Sequence, residues 1–263
     1  MYLYENSPEL YAQDILSSLN LTPPVDIFKV CEAYDLKVNY ENISSAEALL
    51  IVSQGKKNII INDRKILSIP RQRFSIAHEV GHFFIPWHSR NMCTCTNIGD
   101  FSSDNLEENQ ADVFASELLI PTDKLLSRIS GKAISMELIK ELAQEFNVSL
   151  GAMTRKVISN SDDKIIALIY YSNGRKIVQA KSSSFDLNLK PGIIRGSAAK
   201  ELLHNRYSNE TVKRILSCDV WLQENSHDFE IVEESLYQPN FSRVFTLLRV
   251  ANHADYMDAF FDM

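Results

Sequence analysis

Residues 78–82 read His-Glu-Val-Gly-His, an H-E-x-x-H pattern whose residue types could bind and use a metal ion. Two histidines four positions apart lie on one face of a helix, so the imidazoles of His78 and His82 can reach a single ion at about 2.0–2.1 Å. Glu79 lies between them, where a carboxylate can take a proton from a metal-bound water whose pKa zinc lowers to about 7. The pattern therefore predicts zinc-assisted hydrolysis, with His78 and His82 as ligands and Glu79 as general base.

A third protein ligand is expected downstream, because a zinc hydrolase usually uses three and leaves one position for water. Residues 104–119 predict a second helix, with Asp104 as N-cap and Glu107 completing a capping box. On this helix Glu108 shares a stripe with Asp112 and two alanines, which would permit close approach to the histidine helix. We predict Glu108 as the third ligand, and Asp112 as acceptor of the second N–H of a ligating histidine. Glu107 is the weaker ligand, because it points about 100° away on an ideal helix.

Each of these residues also has a purely structural interpretation. The two histidines could be hydrogen-bonded polar residues on a surface helix, and the acidic residues could be solvated charges. The compatible helix faces of all five residues favour the metal site.

Two stretches of the chain, residues 71–82 and 108–121, resemble the ImmA/IrrE family of zinc metallopeptidases. The resemblance covers roughly residues 20–160, and both motifs occur in the family's order. It implies a zincin-like fold, His78, His82 and Glu108 as ligands, and Glu79 as catalytic base. Several members cleave a helix-turn-helix transcriptional repressor, so the resemblance also implies such a protein substrate. Members often carry a histidine four residues after the motif; this chain has Pro86 there, and the later His88 is not assigned that role.

The hydropathy pattern predicts an α+β protein in three parts. Helices at 8–19 and 25–34, strands at 36–40, 48–52 and 58–62, and the two motif helices make up a zincin-like metallopeptidase domain at 1–130. Residues 131–160 form a helical, helix-turn-helix-like segment. Strands at 165–171, 176–180, 229–237 and 244–250, with a helix at 197–204, predict a small α+β domain at 164–263. Some relatives carry a GAF-type sensor domain after the peptidase part, which makes a GAF-like, sensor- or regulator-like domain the analogy here.

The strand at 58–62 has two interpretations. As an edge strand beside the motif helix, it could receive a substrate peptide by backbone pairing. As an interior strand, it would bind no ligand.

Direct DNA binding is not expected, although residues 134–157 have the outline of a helix-turn-helix. The second helix offers only Thr154, Arg155 and Lys156 as contacting side chains, and the whole chain carries a formal net charge of −7. The hairpin is instead expected to pack on the peptidase core or to help bind a protein substrate.

Cysteine usage and hydropathy favour a cytoplasmic protein without a membrane span. The four cysteines are too few for a disulfide framework in 263 residues. Cys93 and Cys95, in a predicted loop, could bind a second ion with His88, or they are simply reduced thiols. No segment approaches the roughly eighteen apolar residues of a membrane span, and the first residues do not resemble a signal peptide.

Two functions of different class follow from these patterns. The first is a zinc endopeptidase acting on a cytoplasmic repressor. The second is a zinc-containing binding protein that sequesters a regulator or toxin partner without cutting it. Glu79 argues against the second, because metal binding alone needs no carboxylate at that position.

Overall fold

The computed structural model describes residues 7–43, 46–65, 68–88, 93–95, 106–161, 165–172, 175–185, 187–192, 194–206, 210–223, 229–251 and 255. The protein is mixed α+β, as predicted. It divides into two compact units, one of Met1–Ser127 with Leu142–Ala152 and one of Arg128–Glu141 with Met153–Met263. Residues 131–160 contribute to both units, and the three-part functional division stays a prediction.

The first unit contains a four-stranded sheet. Its strands are β1 (Lys37–Glu41), β2 (Ala48–Ser53), β3 (Lys56–Asn62) and β4 (Cys93–Cys95), in the order β1-β3-β2-β4. β3 runs parallel to β1 and antiparallel to β2, and β2 is also antiparallel to β4. β3 is therefore an interior strand, and its interpretation as a peptide-receiving edge is wrong because both of its sides are already paired. Residues 93–95, predicted as loop, form the edge strand β4.

Helices accompany this sheet. They are α1 (Pro8–Ser18), α2 (Ile27–Ala33), α3 (Ile69–Phe84), α4 (Leu106–Leu119) and α5 (Thr122–Ile129). α3 contacts β2 and β3, and α4 packs on both α3 and α1. Ile76 and Val80 of α3 are fully buried. Ser68 precedes α3, but its side chain makes no capping hydrogen bond. The predicted cap Asp104 lies outside the described residues.

A helix–turn–helix hairpin follows, as predicted. It consists of α6 (Met136–Glu145) and α7 (Leu150–Asn160). Asn147 makes the turn with a left-handed backbone, φ 51°, a conformation that asparagine adopts more readily than most residues. The Ser149 hydroxyl accepts a hydrogen bond from the Ala152 N–H and so caps α7.

The second unit contains a five-stranded antiparallel sheet. Its elements are β5 (Ile165–Ser172), β6 (Arg175–Lys181), α8 (Ala198–Asn205), β7 (Thr211–Ser217), α9 (Cys218–Trp221), β8 (Glu230–Gln238) and β9 (Arg243–Val250), with strand order β6-β5-β9-β8-β7. β7 and α9 were not predicted. α8 packs on β8 and β9, and fully buried Trp221 belongs to the core between them.

One buried carboxylate anchors α8 to this sheet. Glu233 of β8 accepts hydrogen bonds from the backbone N–H groups of Ala198 and Ala199 at 3.1 and 2.7 Å. It also accepts from the Trp221 indole N–H at 3.3 Å and the Ser235 hydroxyl at 3.0 Å. Burial nevertheless raises the pKa of Glu233. Across both units, no helix in the described parts of the chain is long and apolar enough to cross a bilayer.

Gly81 lies where α3 meets α4 in the first unit. A Cβ atom at this position would lie 3.0 Å from Cδ1 of the Phe114 ring and 3.3 Å from the backbone Cα of Ala111. Both distances are shorter than ordinary van der Waals contact, and Ala111 and Phe114 are themselves fully buried. Glycine therefore sets how closely the two helices approach.

We predict that Gly81→Ala destabilises the protein. Helix propensity favours alanine by about 1 kcal/mol, whereas overpacking costs about 1–3 kcal/mol, so the free energy of unfolding should fall by up to about 2 kcal/mol. Urea denaturation of the metal-free protein measures the change. Lys124→Ala, at an exposed position of α5, is the control and should leave the unfolding midpoint unchanged. Equal or greater stability of Gly81→Ala would contradict the close helix contact.

Candidate metal centre

α3 and α4 bring two imidazoles and one carboxylate to the same point. His78 Nε2 lies 3.1 Å from His82 Nε2 and 3.2 Å from Glu108 Oε2. His82 Nε2 lies 3.4 Å from Glu108 Oε1. The histidine side chains are 1% exposed and the Glu108 side chain is 26% exposed. The three side chains therefore form a group that could hold one metal ion.

The spacing of these donor atoms fits a tetrahedral ion. Ligand atoms at about 2.0–2.1 Å from a tetrahedral zinc are separated by about 3.3–3.4 Å. The three separations observed here, 3.1, 3.2 and 3.4 Å, differ little from that value. An ion could thus enter with only small side-chain shifts, and three protein donors leave one tetrahedral corner for another ligand.

Asp112 lies one turn beyond Glu108 on α4 and contacts the far side of the His78 ring. Its Oδ1 is 2.7 Å from His78 Nδ1, and both groups are buried. A carboxylate accepts only, so His78 Nδ1 carries the proton and donates it. This bond orients the ring so that Nε2 faces His82 and Glu108.

Without a cation, the group favours a proton on His78. Burial opposes a charged imidazole, but the hydrogen bonds to Asp112 and Glu108 and the nearby Glu79 charge outweigh it and raise the pKa of His78 to about 9. Burial likewise opposes ionisation of Glu108, but hydrogen bonds from His78 and His82 hold the pKa of its carboxyl far below the usual range. The site therefore has the negative potential that a cation needs.

Glu79 is fully buried on α3 between the two histidines. The chain thus brings together His78, Glu79, His82, Glu108 and Asp112, the five residues singled out by their spacing. Glu107 falls elsewhere, in a second group with His82 and His88 that could also hold a cation. The side chains of Cys93 and Cys95 lie outside the described part of the structure, so their predicted alternatives stay open.

Three residues lie in a hydrogen-bonded series beside His82 that was not predicted from the sequence, although His88 was considered there as a possible ligand of a second ion. His82 Nδ1 lies 3.0 Å from Nδ1 of His88, and Nε2 of that histidine lies 3.0 Å from Gln110 Oε1. The Trp87 indole N–H donates to the same Gln110 oxygen at 2.7 Å. Gln110 lies two residues after Glu108, off the predicted acidic stripe. No spacing rule relates it to a histidine 22 positions earlier in the sequence, so only the structure brings them together.

Comparison with known proteins gives two sequence matches and one structural match. The peptidase M78 family, described as the IrrE N-terminal-like domain, matches residues 31–157. The metallopeptidase ImmA of Bacillus subtilis (strain 168) is 31% identical over 103 residues, 39% of this chain and 57% of that protein. The chain thus spans little more than half the length of this relative.

A solved structure, titled Mycobacterium tuberculosis transcriptional regulator, has a similar fold. The match has a TM-score of 0.60 at 10% identity and covers 96% of this chain and 79% of the other. At that identity it shows the fold alone. The family match and the ImmA similarity agree with the two motifs, which both lie in the matched region, and they support an ImmA/IrrE-type metallopeptidase domain at residues 31–157.

Proposed function

We propose that this protein is a zinc-dependent endopeptidase, with His78, His82 and Glu108 as ligands and Glu79 as general base. The observation that carries the proposal is the convergence of three donor atoms at separations that fit a tetrahedral ion. Glu79 is buried on the helix that carries the two histidines. Two nitrogen donors and one carboxylate in an open tetrahedron suit zinc better than calcium or magnesium. The family-model match at residues 31–157 and the similarity to a metallopeptidase give independent support.

The chemistry divides between the cation and the chain. When bound, zinc supplies a Lewis acid that polarises the peptide carbonyl and makes an attacking water more acidic. Glu79 takes the proton from that water and passes it to the departing amine, so one carboxylate serves both halves of the reaction. Glu79 is fully buried on the helix that carries both histidines, and its charge contributes to the raised pKa of His78. A protein that only bound the metal ion would not need a carboxylate at position 79.

Asp112 acts through His78 and does not touch substrate. Its 2.7 Å hydrogen bond holds the Nδ1 proton, so the lone pair of His78 is on Nε2, facing the other ligands. A carboxylate partner also makes the ring a stronger electron donor. We therefore assign Asp112 as a positioning residue.

The substrate we propose is a cytoplasmic helix-turn-helix transcriptional repressor. This proposal rests on the family resemblance, because several members cleave such repressors. We also propose a zincin-like arrangement for the first unit. For the second, we propose a regulatory, GAF-like role in which its five-stranded sheet and α8 respond to a signal.

Cleavage should depend on Glu79. The wild-type chain and Glu79→Gln are each co-expressed with repressor-like proteins encoded next to it, and cut products are identified by mass spectrometry. We expect a defined product with the wild type and none with Glu79→Gln, while zinc content and fold are unchanged, because glutamine cannot accept the proton. Glu32→Gln, the same change at an exposed helical position, is the control and should cleave normally. Intact repressor in every lane, with a stable complex, would favour sequestration without cleavage.

Metal affinity should fall in steps as ligands and their partners are changed. His82→Ala removes a donor atom and should abolish stoichiometric zinc, whereas Asp112→Asn should weaken affinity about 10- to 100-fold. Elemental analysis and chelator competition measure both. His204→Ala, at an exposed position of α8, is the control and should bind zinc as the wild type does. Full zinc occupancy of His82→Ala would contradict the ligand assignment.

Zinc affinity should also rise with pH up to about 9. In the metal-free protein the pKa of His78 is raised to about 9, so zinc must displace a proton from this ring at neutral pH. Each pH unit below that value should therefore weaken binding about tenfold. Competition against a chelator of known pH dependence, from pH 6.5 to 9, measures the slope. A flat profile between pH 7 and 8.5 would show that His78 is already neutral.

A further inference from the structure

We infer that His88 is a positioning residue for His82, oriented in turn by Gln110 and Trp87. This hydrogen-bonded series, here named the His88 chain, would fix which nitrogen of His82 faces the metal. The inference rests on the proposed role of His82 as a ligand. Neither the H-E-x-x-H pattern nor the family match assigns a function to these three residues.

The His88 chain is built from short contacts between protected groups. His82, His88 and Gln110 are buried, with exposures of 0%, 3% and 8%. The separations along the His88 chain are 3.0 Å from His82 Nδ1 to His88 Nδ1, 3.0 Å from His88 Nε2 to Gln110 Oε1, and 2.7 Å from that oxygen to Trp87 Nε1. Water therefore competes little for these bonds, and each ring is held in one orientation.

The direction of every bond follows from Trp87. An indole N–H can only donate, so the Gln110 atom beside it must be the amide oxygen. The same oxygen lies beside His88 Nε2, which must therefore carry a proton and donate it. Nδ1 of a neutral His88 is then an acceptor, and the Nδ1 of His82 beside it is the donor.

The consequence for His82 is a fixed tautomer. With its proton on Nδ1, its lone pair is on Nε2, the atom that lies 3.1 Å from His78 Nε2 and 3.4 Å from Glu108 Oε1. His78 reaches the same state through Asp112. The two ligands thus use different partners: the Asp112 carboxylate orients the His78 ring, and the neutral His88 chain orients the His82 ring.

A neutral partner also limits the charge of the site. Asp112 adds a full negative charge next to His78, whereas the His88 chain satisfies the His82 N–H without adding another. The alternative is a second cation between His82, His88 and Glu107, which these groups could also hold. That arrangement would require His82 to lose both ring protons if it also binds the first ion, so the hydrogen bond is favoured.

The direct test uses the zinc-loaded wild-type protein, labelled with ¹⁵N in histidine. A scalar coupling across the hydrogen bond should connect His82 Nδ1 to His88 Nδ1, with the proton residing on His82. This measurement needs no variant and does not depend on activity. Absence of the coupling in protein that carries one zinc per chain would overturn the inference, as would two zinc ions per chain with His88 bound to the second.

A pair of variants tests the effect on metal affinity. His88→Phe keeps the size of the ring but removes the acceptor, and should weaken zinc binding about 10- to 100-fold in chelator competition. His88→Asn keeps an acceptor oxygen near the place of Nδ1 and should recover most of that loss. A purely structural role would not predict this rescue. Circular dichroism checks that both variants fold; if His88→Phe does not, the wild-type coupling decides.

Failure of the inference and failure of the proposed function give different results. If wild type and His88→Phe bind one zinc with equal affinity, His88 does not position His82, and the endopeptidase proposal is untouched. If the wild type binds no zinc and Glu79→Gln cleaves normally, the proposed metal mechanism is wrong, and the role of His88 falls with it.

Discussion

The close packing of α3 against α4 is the constraint on which the candidate site depends. The two histidines and Glu79 lie on α3, whereas Glu108 and Asp112 lie on α4, so no single element can assemble the group. Donor atoms must come within about 3.3–3.4 Å of one another to share a tetrahedral ion. Gly81 has no side chain to hold the helices apart, and Ala111 presents only a methyl group. The two helices therefore meet at an apolar contact of Gly81 with Ala111 and Phe114, and the metal-binding group lies beside that contact on the same two helices.

Burial makes the hydrogen-bond partners of the histidines as important as the histidines themselves. A buried N–H without an acceptor costs about 1–3 kcal/mol, so each ring nitrogen that faces away from the ion needs a fixed partner. Asp112 fills this role for His78, and His88 is placed to do so for His82. Asp112, His88 and Gln110 are therefore buried beside the two rings. Their bonds convert two rotatable side chains into a preorganised pair of donors.

Local periodicity explains which features could be predicted from the sequence. Side chains four apart on a helix share a face, so the pairing of His78 with His82 and of Glu108 with Asp112 followed from spacing alone. The long helices and most strands were predicted for the same reason. Strand order, however, depends on which distant segments pair, and β3 proved interior because β1 and β2 pair with its two sides.

The features that were not predicted from the sequence depend on contacts between distant segments. β4 has only three residues and exists through pairing with β2, more than forty positions away. β7 carries Lys213 and Arg214 and lies at an edge of its sheet, so its pattern lacks the apolar alternation of a half-buried strand. His88 and Gln110 are hydrogen-bonded although they are 22 positions apart in the sequence. Long-range contacts of this kind leave no local periodicity.

Metal binding and proton binding at this site are one equilibrium. Glu79, Glu108 and Asp112 place three carboxylates around two imidazoles, and in the absence of a cation this excess of negative charge raises the pKa of His78 to about 9. The proton on His78 and a divalent cation compete for the same Nε2 atom, and the negative charge of the surrounding carboxylates attracts both. Asp112 strengthens both, because its charge favours a protonated ring and a coordinated ring alike.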